Sequence, residues 1–205
     1  MNSIRIWNMR AARIVPSSRY SEGPKEAPSR APESLQRIVR VDHAGEYAAD
    51  RIYAGQMAVL RDKTPASEAI REMWETEKEH LVEFERVMRD KRVRPTALLP
   101  IWNLAGFAVG AGSALLGAKA AMACTVAVEE VIEEHYNDQL RILMNDENFD
   151  DSELLNTISK IRDDEVAHRD AGSEFGGKEA TESYPSVTNL LKMGLRTAIW
   201  LSERF

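Results

Sequence analysis

The stretch Ile70-Arg-Glu-Met-Trp-Glu-Thr-Glu-Lys-Glu-His-Leu-Val-Glu-Phe-Glu-Arg-Val-Met88 decides how this chain folds. Ile70, Met73, Trp74, Leu81, Phe84, Val87 and Met88 follow one another in the steps of three and four that mark one face of an α-helix. Glu77 and His80 fall on that same apolar face. Residues three apart on a helix point the same way, so the carboxylate and the imidazole project together into whatever the stripe packs against. Burying an unpaired carboxylate costs several kcal/mol, so this pair demands a partner of opposite charge.

Working outward, the same signature returns once, as Glu165-x-x-His168 in a stripe with Leu154, Ile158 and Ile161. Two further glutamates sit in apolar stripes of their own. Glu46 shares a face with Leu35, Ile38, Asp42, Ala49, Ile52 and Gln56; Glu129 shares one with Met122, Thr125, Ile132, Glu133, Tyr136 and Leu140. In chain order the pattern is Glu46, then Glu77 with His80, then Glu129, then Glu165 with His168, so one half of the chain repeats the other. Carboxylate and imidazole together suit iron or manganese. Two divalent ions would neutralise four carboxylates. The bundle pattern known for ferritin-like dimetal proteins has this make-up. Asp164 stands ready to accept from the free ring nitrogen of a histidine ligand. Glu130 and Glu134 read as a solvated face; Glu133, one turn beyond Glu129, is within reach of the centre, but its reading as an ordinary structural residue is favoured. Two other readings stay open here: an iron-handling protein with the same centre, and a metal-free helical interaction protein with satisfied histidines.

The remaining segments read as helices too. Six are expected, at about 34–60, from Pro65 to Arg92, 97–116, 119–145, from Asp151-Ser152 to a close at Gly172, Gly176 and Gly177, and 186–204. No strand-like alternation is sustained, so the fold is all-α: a four-helix bundle with two additional helices. The chain of 205 residues fits one domain, 34–205, behind a leader. Its single cysteine, Cys124, rules out an internal disulfide and cysteine-rich metal sites, and reads as a small buried residue. Residues 31–205 carry a net charge of −10, which argues against a nucleic-acid surface. Residues 1–30 carry +4, with spaced arginines among Ile4, Ile6, Trp7 and Ile14, the composition of a mitochondrial presequence; a Pro- and Ser-rich linker completes residues 1–33. There is no Gly-x-Gly-x-x-Gly dinucleotide signature.

From Pro95 to Ala118 no residue is charged. A membrane span there would put Glu77 and Glu129 on opposite sides of the bilayer, which a shared metal centre forbids. Pro100, Asn103 and four glycines also weaken a span. The segment is therefore expected to lie at a membrane interface, with Trp102 and Phe107 suited to that boundary, and to bring a lipophilic substrate within reach.

Arg40-Val-Asp-His-Ala-Gly-Glu-Tyr47, Arg51-Ile-Tyr-Ala-Gly-Gln-Met57, Arg94-Pro95, Ala123-Cys-Thr-Val-Ala-Val-Glu-Glu130, His135-Tyr-Asn137 and Leu201-Ser-Glu-Arg204 resemble the demethoxyubiquinone hydroxylase family of ubiquinone biosynthesis, from about Leu35 to Phe205. The resemblance implies a ferritin-like fold on the matrix face of the mitochondrial inner membrane, as a peripheral protein. It implies ring hydroxylation of 5-demethoxyubiquinone or its quinol in the penultimate step of the pathway. The cofactors implied are two iron ions per chain, with O2 as co-substrate and NADH as a candidate reductant. The family's iron ligands fall on Glu46, Glu77, His80, Glu129, Glu165 and His168, with Glu77 and Glu165 as candidate bridges. The family also places His135 and Tyr136 near the quinone or its electron supply. A lipid-binding accessory protein of the pathway is the implied partner, and a homo-oligomer is allowed.

Overall fold

The computed structural model describes residues 30–61 and 64–205, so the expected presequence and nearly all of its linker lie outside the described residues. Among the described residues seven helices follow one another: α1 (Glu33–Leu60), α2 (Pro65–Lys91), α3 (Leu99–Leu115), α4 (Ala118–Met144), α5 (Ser152–Glu174), α6 (Gly177–Ser183) and α7 (Pro185–Ser202). No strand occurs among the described residues.

The helix starts have local causes. Thr64 and Ser67 form a reciprocal cap on α2, with Pro65 at the first helical position; the Ser67 N–H donates to Thr64 Oγ1 at 3.1 Å and the Thr64 N–H to Ser67 Oγ at 3.0 Å. Asp151 caps α5 by accepting from the Leu154 N–H at 3.0 Å, as its residue type suggested. At the other end of α5 the expectation needs correction. Gly172 does not close the helix but lies inside it, buried against Val126 and Met122 of α4. The break comes at Gly176, whose φ of 82° a side chain would resist, and it opens the short α6 that the sequence reading did not foresee.

The ferritin-like bundle is formed by α1, α2, α4 and α5, with α1 packed on α2 and α4 on α5. Two apolar layers fill it. Val39, Phe84, Val87, Tyr136, Leu140, Leu154, Ile158 and Ile161 make one. Tyr53, Ile70, Met73, Ala114, Ala121 and Met122 make the other. Along α1, α2 and α4 the two layers are separated by about three to four turns, and the glutamates and histidines singled out above occupy that gap. Each large apolar side chain in these layers contributes about 1.5–3 kcal/mol, enough to hold a polar layer between them.

Helix α3 lies along α1 through small residues. Only Gly106, Gly110 and Ala114 of α3 are buried, and the two glycines meet the backbone of α1 at Ala48 and Ile52. Its large side chains face outward, with Leu104 74% and Leu116, just past its end, 82% exposed. Helix α7 tucks Leu191 and Leu195 against Ile52, Cys124 and Val128 while Val187, Leu190, Met193 and Trp200 stay exposed. The Trp102 indole N–H donates to Ser202 Oγ at 3.0 Å and ties the two helices together. Arg40 adds a second tie, donating to the carbonyls of Arg94 and Glu203 at 3.2 Å each. Among the described residues, no helix is long and apolar enough to cross a membrane.

Candidate metal centre

The six candidate ligands converge in the gap between the apolar layers. Glu46 comes from α1, Glu77 and His80 from α2, Glu129 from α4, and Glu165 and His168 from α5. All are buried, and Glu77, Glu129 and Glu165 have no accessible surface. Two clusters result: Glu46, Glu77, His80 and Glu165 form one, and Glu77, Glu129, Glu165 and His168 the other, with ligand atoms within 4.8 Å of one another in each. Glu77 and Glu165 belong to both, which is the placement a pair of bridging carboxylates needs. Each histidine turns Nδ1 inward. His80 Nδ1 lies 3.1 Å from Glu165 and 3.4 Å from Glu46; His168 Nδ1 lies 2.9 Å from Glu77 and 3.3 Å from Glu165.

These short distances are not hydrogen bonds. Both oxygens of Glu77 and of Glu165, one oxygen each of Glu46 and Glu129, and both Nδ1 atoms are buried without a hydrogen-bond partner. A native interior leaves few such atoms unsatisfied and those scattered, whereas here eight face a common space. Oxygen and nitrogen donor atoms converging on one space are what a pair of divalent cations requires, so the donor set fits the ions. In the protein alone, burial and then the charges of Glu165 and Glu46 hold the Glu77 carboxyl well above its usual range. Burial, followed by Glu165 and Glu77, does the same to Glu129. Burial would lower His80, but the Glu165 and Glu46 carboxylates outweigh it and raise the imidazole to about 12.

The outer edge of the centre is ordered by further side chains. The Tyr53 hydroxyl donates to Glu129 Oε1 at 2.8 Å, and the Tyr136 hydroxyl donates to Glu46 Oε1. Asp164 Oδ2 lies 3.1 Å from His80 Nε2, the contact anticipated for it. A carboxylate there fixes the proton on Nε2 and leaves the Nδ1 lone pair facing inward.

The family described as ubiquinone biosynthesis protein COQ7 matches residues 33–202. The chain belongs to that family. Among relatives of this COQ7-family chain, a Bos taurus protein named NADPH-dependent 3-demethoxyubiquinone 3-hydroxylase, mitochondrial, is 46% identical over 97% of this chain and 94% of its own length. A Rhodospirillum rubrum protein named 3-demethoxyubiquinol 3-hydroxylase is 44% identical over 90% of this chain and 88% of its own. A Saccharomyces cerevisiae protein named 5-demethoxyubiquinone hydroxylase, mitochondrial, is 39% identical over 92% and 88%. Where the sequence reading named NADH as candidate reductant, the bovine name specifies NADPH.

Other residues singled out from the sequence are placed as follows. In this COQ7-family chain Tyr136 reaches the centre through Glu46, whereas His135 stands behind it, 3.5 Å from Asp42 and 2.7 Å from the Gln139 side-chain nitrogen. Glu133 stays outside both ligand clusters, as favoured for it, and pairs with Arg169. Glu130 and Glu134 pair with Lys192 and Arg196. Cys124 is buried, and burial lifts its thiol to about 12, which makes it inert.

Tyr53, Asp42 and Gln139 carry roles that the sequence reading did not assign. A signal for them exists in the repeat. Tyr53 and Tyr136 each stand seven residues after their half's glutamate, and Gln56 and Gln139 each ten after. Gln56 donates to Thr125 at 3.4 Å as Gln139 donates to Asp42 at 2.6 Å, so the two halves exchange equivalent contacts.

Proposed function

We propose that this chain hydroxylates the ring of demethoxyubiquinone, with two iron ions held by Glu46, Glu77, His80, Glu129, Glu165 and His168. The observation that carries this reading is the pair of ligand clusters sharing Glu77 and Glu165, in a chain of the COQ7 family. Iron bound there supplies the redox chemistry by which one atom of O2 enters the quinone ring, O2 being the co-substrate.

The chain's own residues account for the rest. Complete burial of the shared carboxylates keeps water from the reacting space. Tyr53 and Tyr136 hold the two outer glutamates, and Asp164 orients His80. His135, whose ring centroid lies 6.1 Å from that of Tyr136, is read as a residue near the quinone or its electron supply. The exposed apolar side chains of α3 and α7 support a peripheral position on the matrix side of the inner mitochondrial membrane, where a lipophilic quinone is reached from the bilayer and a lipid-binding accessory protein docks beside α3. The reductant is a reduced nicotinamide, with NADPH favoured by the bovine relative's name.

Glu129→Ala tests the assignment. Reconstituted without oxygen and supplied with quinone, reductant and O2, the variant should lose ring hydroxylation by at least about 100-fold and fail to retain both irons. Turnover at the level of the unsubstituted chain would sink the reading.

A further inference from the structure

The two metal positions are built from the same repeat yet differ in one contact. They share Glu77 and Glu165. Each outer glutamate accepts from a buried tyrosine, Glu46 from Tyr136 and Glu129 from Tyr53, so these contributions match. The histidines do not match. His80 Nε2 meets Asp164 at 3.1 Å, and the Asp164 side chain is 35% exposed, so its charge is held without deep burial. Among the described residues, none accepts from His168 Nε2. The repeat explains why. Asp164 immediately precedes Glu165 on α5 and reaches across to α2; its counterpart, immediately before Glu77 on α2, is Thr76, whose hydroxyl donates to the Glu72 carbonyl at 3.3 Å instead.

A carboxylate on the outer nitrogen fixes the imidazole's tautomer and orientation and makes its inner nitrogen a stronger donor. We propose that the two positions fill in order, the one at Glu46 and His80 first, and that Asp164 sets this order. The inference rests on the six residues being metal ligands, as in the function proposed above. Asp164 acts as a positioning residue, through His80.

Two steps in a titration would not suffice as evidence, because the first cation disfavours the second through charge and shared bridges even at equivalent positions. The identity of the first position filled is the decisive reading. Zn(II) is the probe, being diamagnetic and redox-silent. The full metal-free chain, labelled with 15N at histidine, receives one equivalent of Zn(II). The ring-nitrogen signals of His80 should move to the ligated range while those of His168 move only with the second equivalent. By calorimetry, Asp164→Asn should weaken the first step by about 10- to 100-fold and leave the second in place. His168 moving first or together with His80, or Asp164→Asn weakening both steps alike, would overturn the order. The spectra of the unsubstituted chain decide the matter even where the variant fails to fold. No Zn(II) uptake by the folded, unsubstituted chain would instead overturn the metal reading itself.

Discussion

Glu77 and Glu129 show what the centre asks of single residues. Each carries a carboxyl that burial, before any neighbouring charge, holds well above the usual value of 4.5. In the metal-free protein they keep protons that the unfolded chain gives up above 4.5. Their contribution to stability is therefore full below that value and is lost as pH rises through the folded pKa. His80 acts in the same sense, from 6.5 up to about 12. Glu165 acts oppositely: burial would raise it, but His168 and His80 pull it to about 2, so its contribution is lost only as pH falls from 4.5 towards 2. Divalent ions displace the protons of Glu77, Glu129 and His80 and bind more tightly as pH rises. The Tm increase produced by saturating Zn(II) should accordingly grow between about pH 5.5 and about pH 8, by about 2–4 °C per kcal/mol of linkage. A constant or shrinking increase in scanning calorimetry would contradict this placement of protons. The ligands were legible in sequence because a charge inside an apolar stripe is conspicuous. Tyr53 was not, because a tyrosine in the same stripe reads as ordinary core until its hydroxyl is seen to end on Glu129.

Among the elements, α3 was legible as a helix but not in its orientation. Its uncharged sequence leaves packing and exposure undecided, since small and large residues alternate through it. The structure divides them: Gly106 and Gly110 against α1, Leu104, Leu115 and Phe107 outward. The contact is backbone on backbone. A Cβ at Gly110 would lie 1.9 Å from the Ile52 carbonyl oxygen, and one at Gly55 would lie 2.3 Å from that of Phe107. Gly110→Ala should therefore destabilise the fold by about 1–3 kcal/mol or more, by forcing the two helices apart. Gly112, two residues along the same helix, has nothing within 4 Å of its Cβ position, and Gly112→Ala should instead stabilise by about 0.5–1 kcal/mol. Urea denaturation of the two variants measures both signs; equal effects would mean that this contact is not what fixes α3. The short α6 escaped sequence reading for a related reason, because three nearby glycines look alike until one is found packed on α4 and another in a left-handed turn.

At the scale of the molecule, α3 and α7, joined through the Trp102–Ser202 hydrogen bond, leave Ile101, Leu104, Leu115, Leu190, Met193 and Trp200 in solvent. Large exposed apolar patches are unusual on monomeric soluble proteins and mark membrane or partner contacts. Replacing Leu104, 74% exposed, and Leu190, 65% exposed, by Glu touches no buried contact, so the fold and Zn(II) uptake should be unchanged. Co-sedimentation with anionic vesicles should nevertheless fall by at least about 10-fold, since each leucine withdrawn from lipid forfeits about 1.5–3 kcal/mol. Undiminished sedimentation would remove the membrane from the account of this face. The sharing of Glu77 and Glu165 between the two clusters has a consequence of another kind. Glu77 belongs to the first half of the repeat and Glu165 to the second, and each offers a ligand atom to both clusters. Neither half contains a full set of donors, so neither could have served as a smaller ancestor with a working centre of this kind. The pairing of two such units, by association or by duplication within one chain, is the minimum arrangement at which this chemistry becomes available.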